Sequence, residues 1–317
     1  MTVIVRPLLP DSPAETEGFA RVRRACLPAM LATPASVAHD AAHAHPDAHY
    51  RQLIALTGDG TLIGTAQVGL AYDSPEPGQG YANVYVHPDH EGRGAGTQLL
   101  RTAEEHLAQH GAREVYSWVL DGPRNLAWAA DRGYRGSRSA RFLRLDLTPD
   151  ALPPRELLSP GAELRTAADY ADDPRPLFDL FAATVADEPG DIASELTDHE
   201  QWLADTWRDP LLSHELTTVA TVDGRPAAFS LAQTDGECRY WSGMTGTARA
   251  FRGRGLAKLA KNDSLHRARE AGITVAYTGN DADNGPMLAI NKWFGYVLDA
   301  TEIRHVRTLG TLGTLGT

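Results

Sequence analysis

Arg252, Gly253 and Gly255 sit in the stretch "FRGRGLAKLAK" at residues 251–261, where glycine and arginine alternate before helix-forming residues take over. A second stretch, "HEGRGAGTQLL" at residues 90–100, carries Gly92, Arg93, Gly94 and Gly96 in the same pattern. Bare backbone at the head of a helix is a place to hold phosphate. The free N–H groups of the first turn point outward, and the helix dipole adds partial positive charge. Glycine lets the backbone approach the anion with no side chain in between. The expected contacts are Gly92, Arg93, Gly94, Ala95, Gly96 and Thr97 in one stretch, and Arg252, Gly253, Arg254, Gly255, Leu256 and Ala257 in the other.

Such turns need a strand before them and a helix after them. "YANVYVHP" (81–88) alternates toward a strand, and Gly94 to His110 places Leu99, Leu100, Ala103 and Leu107 on one helical face. "REVYSWVL" (113–120) is the next strand, and residues 15–31 look helical through Phe19, Val22, Ala25 and Cys26. "ECRYWSGMTG", a helix from about Gly253 to Ala271, and "ITVAYTGN" repeat the order later, with a less cleanly amphipathic helix.

The recurrence extends beyond the turns. Gly94 and Gly255, Gly111 and Gly272, Gly133 and Gly295, and Arg6 and Arg165 fall in the same order at nearly one offset. "GDGTLIG" and "VDGRPAA" correspond as turns between strand-like runs. Two copies of one domain follow, residues 1–150 and 151–317, joined near the proline-rich "LTPDALPPRELLSPG" (147–161). A chain of 317 residues suits two such domains.

Composition excludes several classes. The formal net charge of −11 argues against a surface that tracks nucleic-acid phosphates and favours a cationic small molecule. Cys26 and Cys238 do not make a disulfide scaffold. "MTVIVRPLLPDSP" lacks the apolar core of a signal peptide, and no run reaches the roughly 18 apolar residues of a membrane span. The expectation is a cytoplasmic protein with no membrane partner.

The combination resembles the GNAT superfamily of acetyl-CoA-dependent acyltransferases, and its two-domain members in particular. The family turn reads Gln/Arg-x-x-Gly-x-Gly/Ala after the fourth strand. "RGRGLA" matches it fully through Arg252, Gly255 and Ala257, whereas "EGRGAG" keeps Gly94 and Gly96 but has Glu91 at the basic position. The resemblance implies an α+β fold, a mixed α/β sheet with two tandem acyl-CoA transferase domains. It also implies acetyl-CoA as cosubstrate and transfer to the primary amine of a small molecule. The alternatives are acylation of a protein amine and a non-catalytic acyl-CoA-binding scaffold. A tandem repeat can imitate a homodimer within one chain, which is compatible with a monomer.

Further site residues follow from the resemblance. Strand ends preceding the turns, Val84, Tyr85 and Val86 in one copy and Thr245, Gly246 and Thr247 in the other, offer backbone N–H groups to the thioester carbonyl. An Asn for the pantetheine arm is matched by Asn284, and the Tyr that protonates the departing thiolate is replaced by Asn291. The N-terminal copy has Gly122 and Ala129 at those two positions. With Glu91 also unfavourable beside a pyrophosphate, by about 1 kcal/mol if solvated, the C-terminal copy is the preferred seat of chemistry. An ammonium acceptor must lose a proton before attack, and Glu237 is the candidate base. Tyr240 and Tyr277 are substitutes for the missing acid.

"HDAAHAHPDAH" spaces His39 from His43 and His45 from His49 by a helical turn, but Pro46 interrupts it and no Cys or third ligand accompanies it, so no metal is expected. Trp118, Trp128, Trp241 and Trp293 are expected as core or pocket walls, and "TLGTLGTLGT" as a frayed tail.

Overall fold

The computed structural model describes residues 2–155, 160–185, 192 and 195–310. Most of the repetitive tail, 311–317, and residues 156–159 of the proline-rich junction lie outside that set.

The first half supplies β1 (Val3–Pro7), β2 (Arg51–Thr57), β3 (Leu62–Leu70), β4 (Gln79–Val86), β5 (Glu114–Leu120) and β6 (Arg135–Asp146). The second supplies β7 (Ala162–Thr166), β8 (Thr218–Val222), β9 (Arg225–Thr234), β10 (Arg239–Thr247), β11 (Val275–Asp281) and β12 (Val297–Thr308). These strands form one mixed sheet in the order β1-β2-β3-β4-β5-β12-β6-β11-β10-β9-β8-β7. β4 with β5 and β10 with β11 are parallel, while the other neighbours are antiparallel.

The centre of that order is unexpected. β12, the last strand, lies beside β5 of the first half, with Glu302 opposite Leu120. β6 instead pairs with β11 of the second half, Asp281 opposite Ala140. Each half therefore gives its last strand to the other, and the two exchanged strands pair with each other along the middle.

Helices cover both faces. α3 (Ala95–Gln109) lays Leu99, Leu100, Ala103 and Leu107 against Ala66, Val68, Ala82 and Val115. Each leucine so buried contributes about 1.5–3 kcal/mol relative to exposure. On the other face α1 (Pro13–Cys26) and α2 (Pro34–His43) set Phe19, Val22 and Val37 against Ile54, Leu62 and Tyr85. The helix expected over 15–31 stops at Cys26, because Pro28 pushes Leu27 out of helical geometry (φ −142°, ψ 86°).

α7 (Leu256–Glu270) explains its weak amphipathic pattern. It is buried on more than one side, and Lys261, Asn262, Asp263, Ser264 and His266 are all buried. The proline-rich junction lies over its back. Asn262 and His266 bond the carbonyls of Pro154 (3.0 Å) and Pro153 (2.9 Å), and Arg155 pairs with Asp263 and Glu270. The remaining described helices are α4 (Pro123–Ala130), α5 (Arg175–Val185), α6 (His199–Trp202) and α8 (Gly285–Trp293). Among the described residues no helix is long and apolar enough to cross a membrane.

Candidate active site

The two glycine turns adopt one backbone. Gly92 and Gly94 have φ of 74° and 86°, and Gly253 and Gly255 have 76° and 75°. That left-handed region is open to glycine and strained for residues with a Cβ. Gly94 and Gly255 are the N-cap residues of α3 and α7, and neither cap is closed by a side chain. The first-turn N–H groups thus stay available to an anion.

Around the N-terminal turn lies a cavity of about 420 Å³. It exists because two parallel strands part. β4 and β5 pair only from Gln79–Tyr81 to Glu114–Tyr116. Where they diverge, the Asn83 side chain accepts from the Trp118 N–H (3.0 Å) and satisfies a donor the ladder no longer reaches. Val84–Val86 form one wall and Ser117–Leu120 the other, and Trp128 and Cys26 are also in the lining. The His87 N–H bonds the Ile63 carbonyl (2.9 Å). By antiparallel alternation the N–H groups of Val84 and Val86 therefore point away from β3 and into the gap.

Glu91 is not the isolated negative charge that its sequence position implies. Its carboxylate accepts from Arg124 Nη1 at 2.7 Å, and Arg124 also lies over Gly92. Arg132 donates to Thr97 Oγ1 (2.8 Å) while stacking on Trp128, and Arg93 donates to the Asp89 carbonyl (3.1 Å). Three guanidinium groups thus border the turn. Gly122 is the N-cap of α4, and Asn125, three residues later, is the amide that lines the cavity. The run "GPRNLAW" was the signal for it, offset from the expected place.

The partner of one expected cavity residue, Tyr85, escaped sequence reasoning because it comes from the other half. The Tyr85 hydroxyl donates to Glu302 Oε1 at 2.9 Å, and Glu302 is 2 % exposed on the exchanged strand β12. Burial pushes the Glu302 carboxyl up, against the Tyr85 hydrogen bond and the Arg23 and Arg304 charges. Burial also holds the Cys26 thiol up at about 11, and Cys26 Sγ donates to the Val86 carbonyl (3.2 Å).

In the C-terminal half the expected residues are largely committed elsewhere. Arg252 Nε donates to the Thr247 carbonyl (3.2 Å), bracing its own turn. Asn284 caps α8, its Oδ1 accepting from the Met287 N–H (3.3 Å). Gly246 faces the Thr184 side chain, where a Cβ would come within 2.9 Å, and Thr245 bonds Ser230 (3.0 Å). Asn291 is fully buried, accepting from Lys261 Nζ (2.6 Å) and donating to Asn280. It is a structural amide where an acid was sought. Tyr240 is fully buried on Ser264 (2.7 Å), and Tyr277 packs with Phe142 and Leu27 in the core.

The structure does not bring Glu237 to either turn. It is exposed in the bend before β10, its N–H bonded to Asp235 (3.0 Å). Glu237 precedes β10 and Gly255 follows it, so this nine-residue strand, roughly 30 Å long at about 3.3 Å per residue, lies between them. The histidine run also disperses. His39 and His43 stack on α2, His45 stacks on Tyr72, and His49 stands at φ 44° beside His110. No group of three His, Cys, Asp or Glu residues suited to a metal gathers among the described residues.

Comparison with known proteins gives consistent results. The profile described as the Acetyltransferase (GNAT) family matches residues 19–134, the half with the cavity. Mycothiol acetyltransferase from Nocardiopsis dassonvillei is 26% identical over 286 residues, covering 83% of this chain and 83% of that protein. The protein of the same name from Nocardia farcinica is 33% identical over 232 residues, covering 71% and 73%. Among solved structures, a GCN5-related N-acetyltransferase from Sphaerobacter thermophilus aligns with TM-score 0.70 at 22% identity, over 96% of this chain and 95% of that one. A tandem GNAT protein from the clavulanic acid biosynthesis pathway gives 0.70 at 21% identity, over 98% and 99%. The last two likenesses extend the fold over the whole chain.

Proposed function

Because the chain belongs to the GNAT acetyltransferase family, and is an N-acetyltransferase drawing on an acyl-CoA donor, we propose two further points. The acyl group is acetyl, passed from acetyl-CoA to the amine of a small molecule, and the donor binds in the N-terminal half. The observation that carries the placement is the cavity of about 420 Å³ between the parted strands β4 and β5, opening onto the Gly92–Thr97 turn. The sequence alone ranked the two copies the other way. The Glu91–Arg124 pair and the presence of Asn125 in the lining remove two of its reasons. The domain division at about residue 150 remains part of this proposal, with the qualification that β6 and β12 are exchanged across it.

In this reading the pyrophosphate rests on the first-turn N–H groups of α3, with Arg124 and Arg132 of the cavity lining around it. The pantetheine arm extends between β4 and β5 beside Asn125. The thioester carbonyl meets the Val84 or Val86 N–H, which polarises it toward attack. The Cys26 thiol, held up at about 11, carries a thiolate fraction of order 10⁻⁴ at neutral pH. That favours direct attack by the amine over an acyl-cysteine intermediate. A small acceptor is supported by relatives named for mycothiol acetylation.

The test combines turnover with occupancy. Acetyl-CoA and a panel of small amines should release free thiol in an acceptor-dependent way. Gly94→Val should weaken acetyl-CoA binding more than tenfold in calorimetry and remove turnover, because valine is strained at φ 86° and blocks the phosphate approach. Gly255→Val should leave most of both. Thermal unfolding of each variant must stay near that of the parent. The reverse pattern would move the donor site to the C-terminal half.

A further inference from the structure

A second cavity, of about 300 Å³, opens on the α1/α2 face of the same half, and both halves build it. Asp40 on α2, Tyr50, Gln67 on β3 and Tyr81 on β4 form its base, and Gln201 and Asp205 from the second half form its rim. The two halves are tied at this point, since Gln201 Nε2 donates to the His43 carbonyl (2.8 Å). Asp205 follows α6 in an irregular helical turn and is exposed at the mouth.

The cavity is joined to the donor site by a file of polar side chains. Asp40 is approached by Gln67 Nε2 at 3.5 Å, and the same nitrogen donates to Tyr50 (2.9 Å). Arg23 Nη1 donates to Gln67 Oε1, and Arg23 lies 4.7 Å over the Tyr85 ring, whose hydroxyl is on Glu302. Thr65 faces Tyr85 and Gln67 faces Asn83 across β3 and β4, so these residues share one face of the sheet. From Tyr81 in the second cavity to Tyr85 in the first is four residues, about 13 Å along the strand.

The cavity also holds unmet polar capacity. The buried Nε2 of His39, on its wall, makes no hydrogen bond among the described residues. Burial, and next the Asp209 carboxylate, hold the Asp40 carboxyl up at about 7. A cation beside it would restore its ionisation, and Asp205 and Asp209 add to the same field. Arg23 is the cation facing it from α1.

We propose that this cavity is the acceptor pocket and that the Gln201–Asp205 segment of the second half selects an acceptor carrying a second ammonium group. That group sits between Asp40 and Asp205, while the amine to be acetylated reaches along β4 toward the thioester. The substrate class is a small diamine or an amino compound with two separated ammonium groups. The proposal rests on placing the donor in the N-terminal cavity, and it gives the second half a part in the first half's reaction.

The test uses the full chain, 1,7-diaminoheptane as the dication and 1,7-heptanediol as its uncharged counterpart. Calorimetry should give saturable binding of the diamine and none of the diol. Asp205→Asn and Asp40→Asn should each weaken diamine binding at least tenfold, and acetyl-CoA should bind Asp205→Asn as it binds the parent. Glu105→Gln, on the exposed face of α3, should change nothing and so excludes general attraction to an acidic protein. The proposal is overturned if the diamine does not bind saturably, if the diol binds equally, or if Asp205→Asn binds the diamine unchanged. Failure of acetyl-CoA to bind the parent would instead overturn the donor reading, whatever the diamine does.

Discussion

Asp40 makes the second cavity visible in a stability measurement. The folded chain holds its proton up to about pH 7, whereas the unfolded chain releases it near the ordinary 3.8. Stability is therefore full below about pH 3.8 and falls as pH rises through that window. Asp40→Asn cannot ionise and should escape the loss, gaining on the order of 1–3 kcal/mol over the parent at pH 8 and little at pH 4. Denaturant curves that stay parallel across this range would contradict it. Residue types were also the least legible level of the sequence. Glycine turns declare themselves because only glycine suits φ near 75–86°. A carboxylate or amide has no such signature, and its role depends on what tertiary structure sets beside it. Glu91 acquires Arg124, Asn284 acquires the end of α8, and Glu237 acquires only solvent.

At the scale of elements, periodicity located α3 and the strands flanking it within a residue or two. α7 was blurred because linker carbonyls from Pro149, Pro153 and Pro154 cover its polar back, so burial there does not follow one stripe. The parting of β4 from β5 had no sequence signal, since both strands continue with good strand formers beyond it. The contact that spans this gap can be weighed. Tyr85→Phe removes the donor to Glu302 and leaves a buried carboxyl without it. The expected destabilisation is about 1–3 kcal/mol by urea titration. Glu302→Gln, which keeps an acceptor oxygen for the hydroxyl, should lose less. Equal losses for the two variants would mean that the pair is held by its surroundings rather than by this bond.

For the whole molecule, the repeat was legible and the exchange was not. Matching glycines report that two similar units exist, but a strand carries no label saying which neighbour it will choose. β6 and β12 are long and each can face either unit, so register and partner were decided in three dimensions. Neither half has a complete sheet without the other's last strand. Calorimetry should accordingly show one transition with equal van't Hoff and calorimetric enthalpies, whereas two resolved transitions would mean independent units. The exchange also bears on the order of synthesis. A ribosome delivers β1 to β5 and the whole glycine turn early, yet the strand that flanks β5 and brings Glu302 to Tyr85 is made after every other strand. Throughout translation β5 has an unpaired edge, and Tyr85 gains its Glu302 partner only when β12 threads in beside β5. A nascent chain halted before residue 297 would therefore carry the whole glycine turn and still lack the strand that pairs with β5 and gives Tyr85 its buried partner.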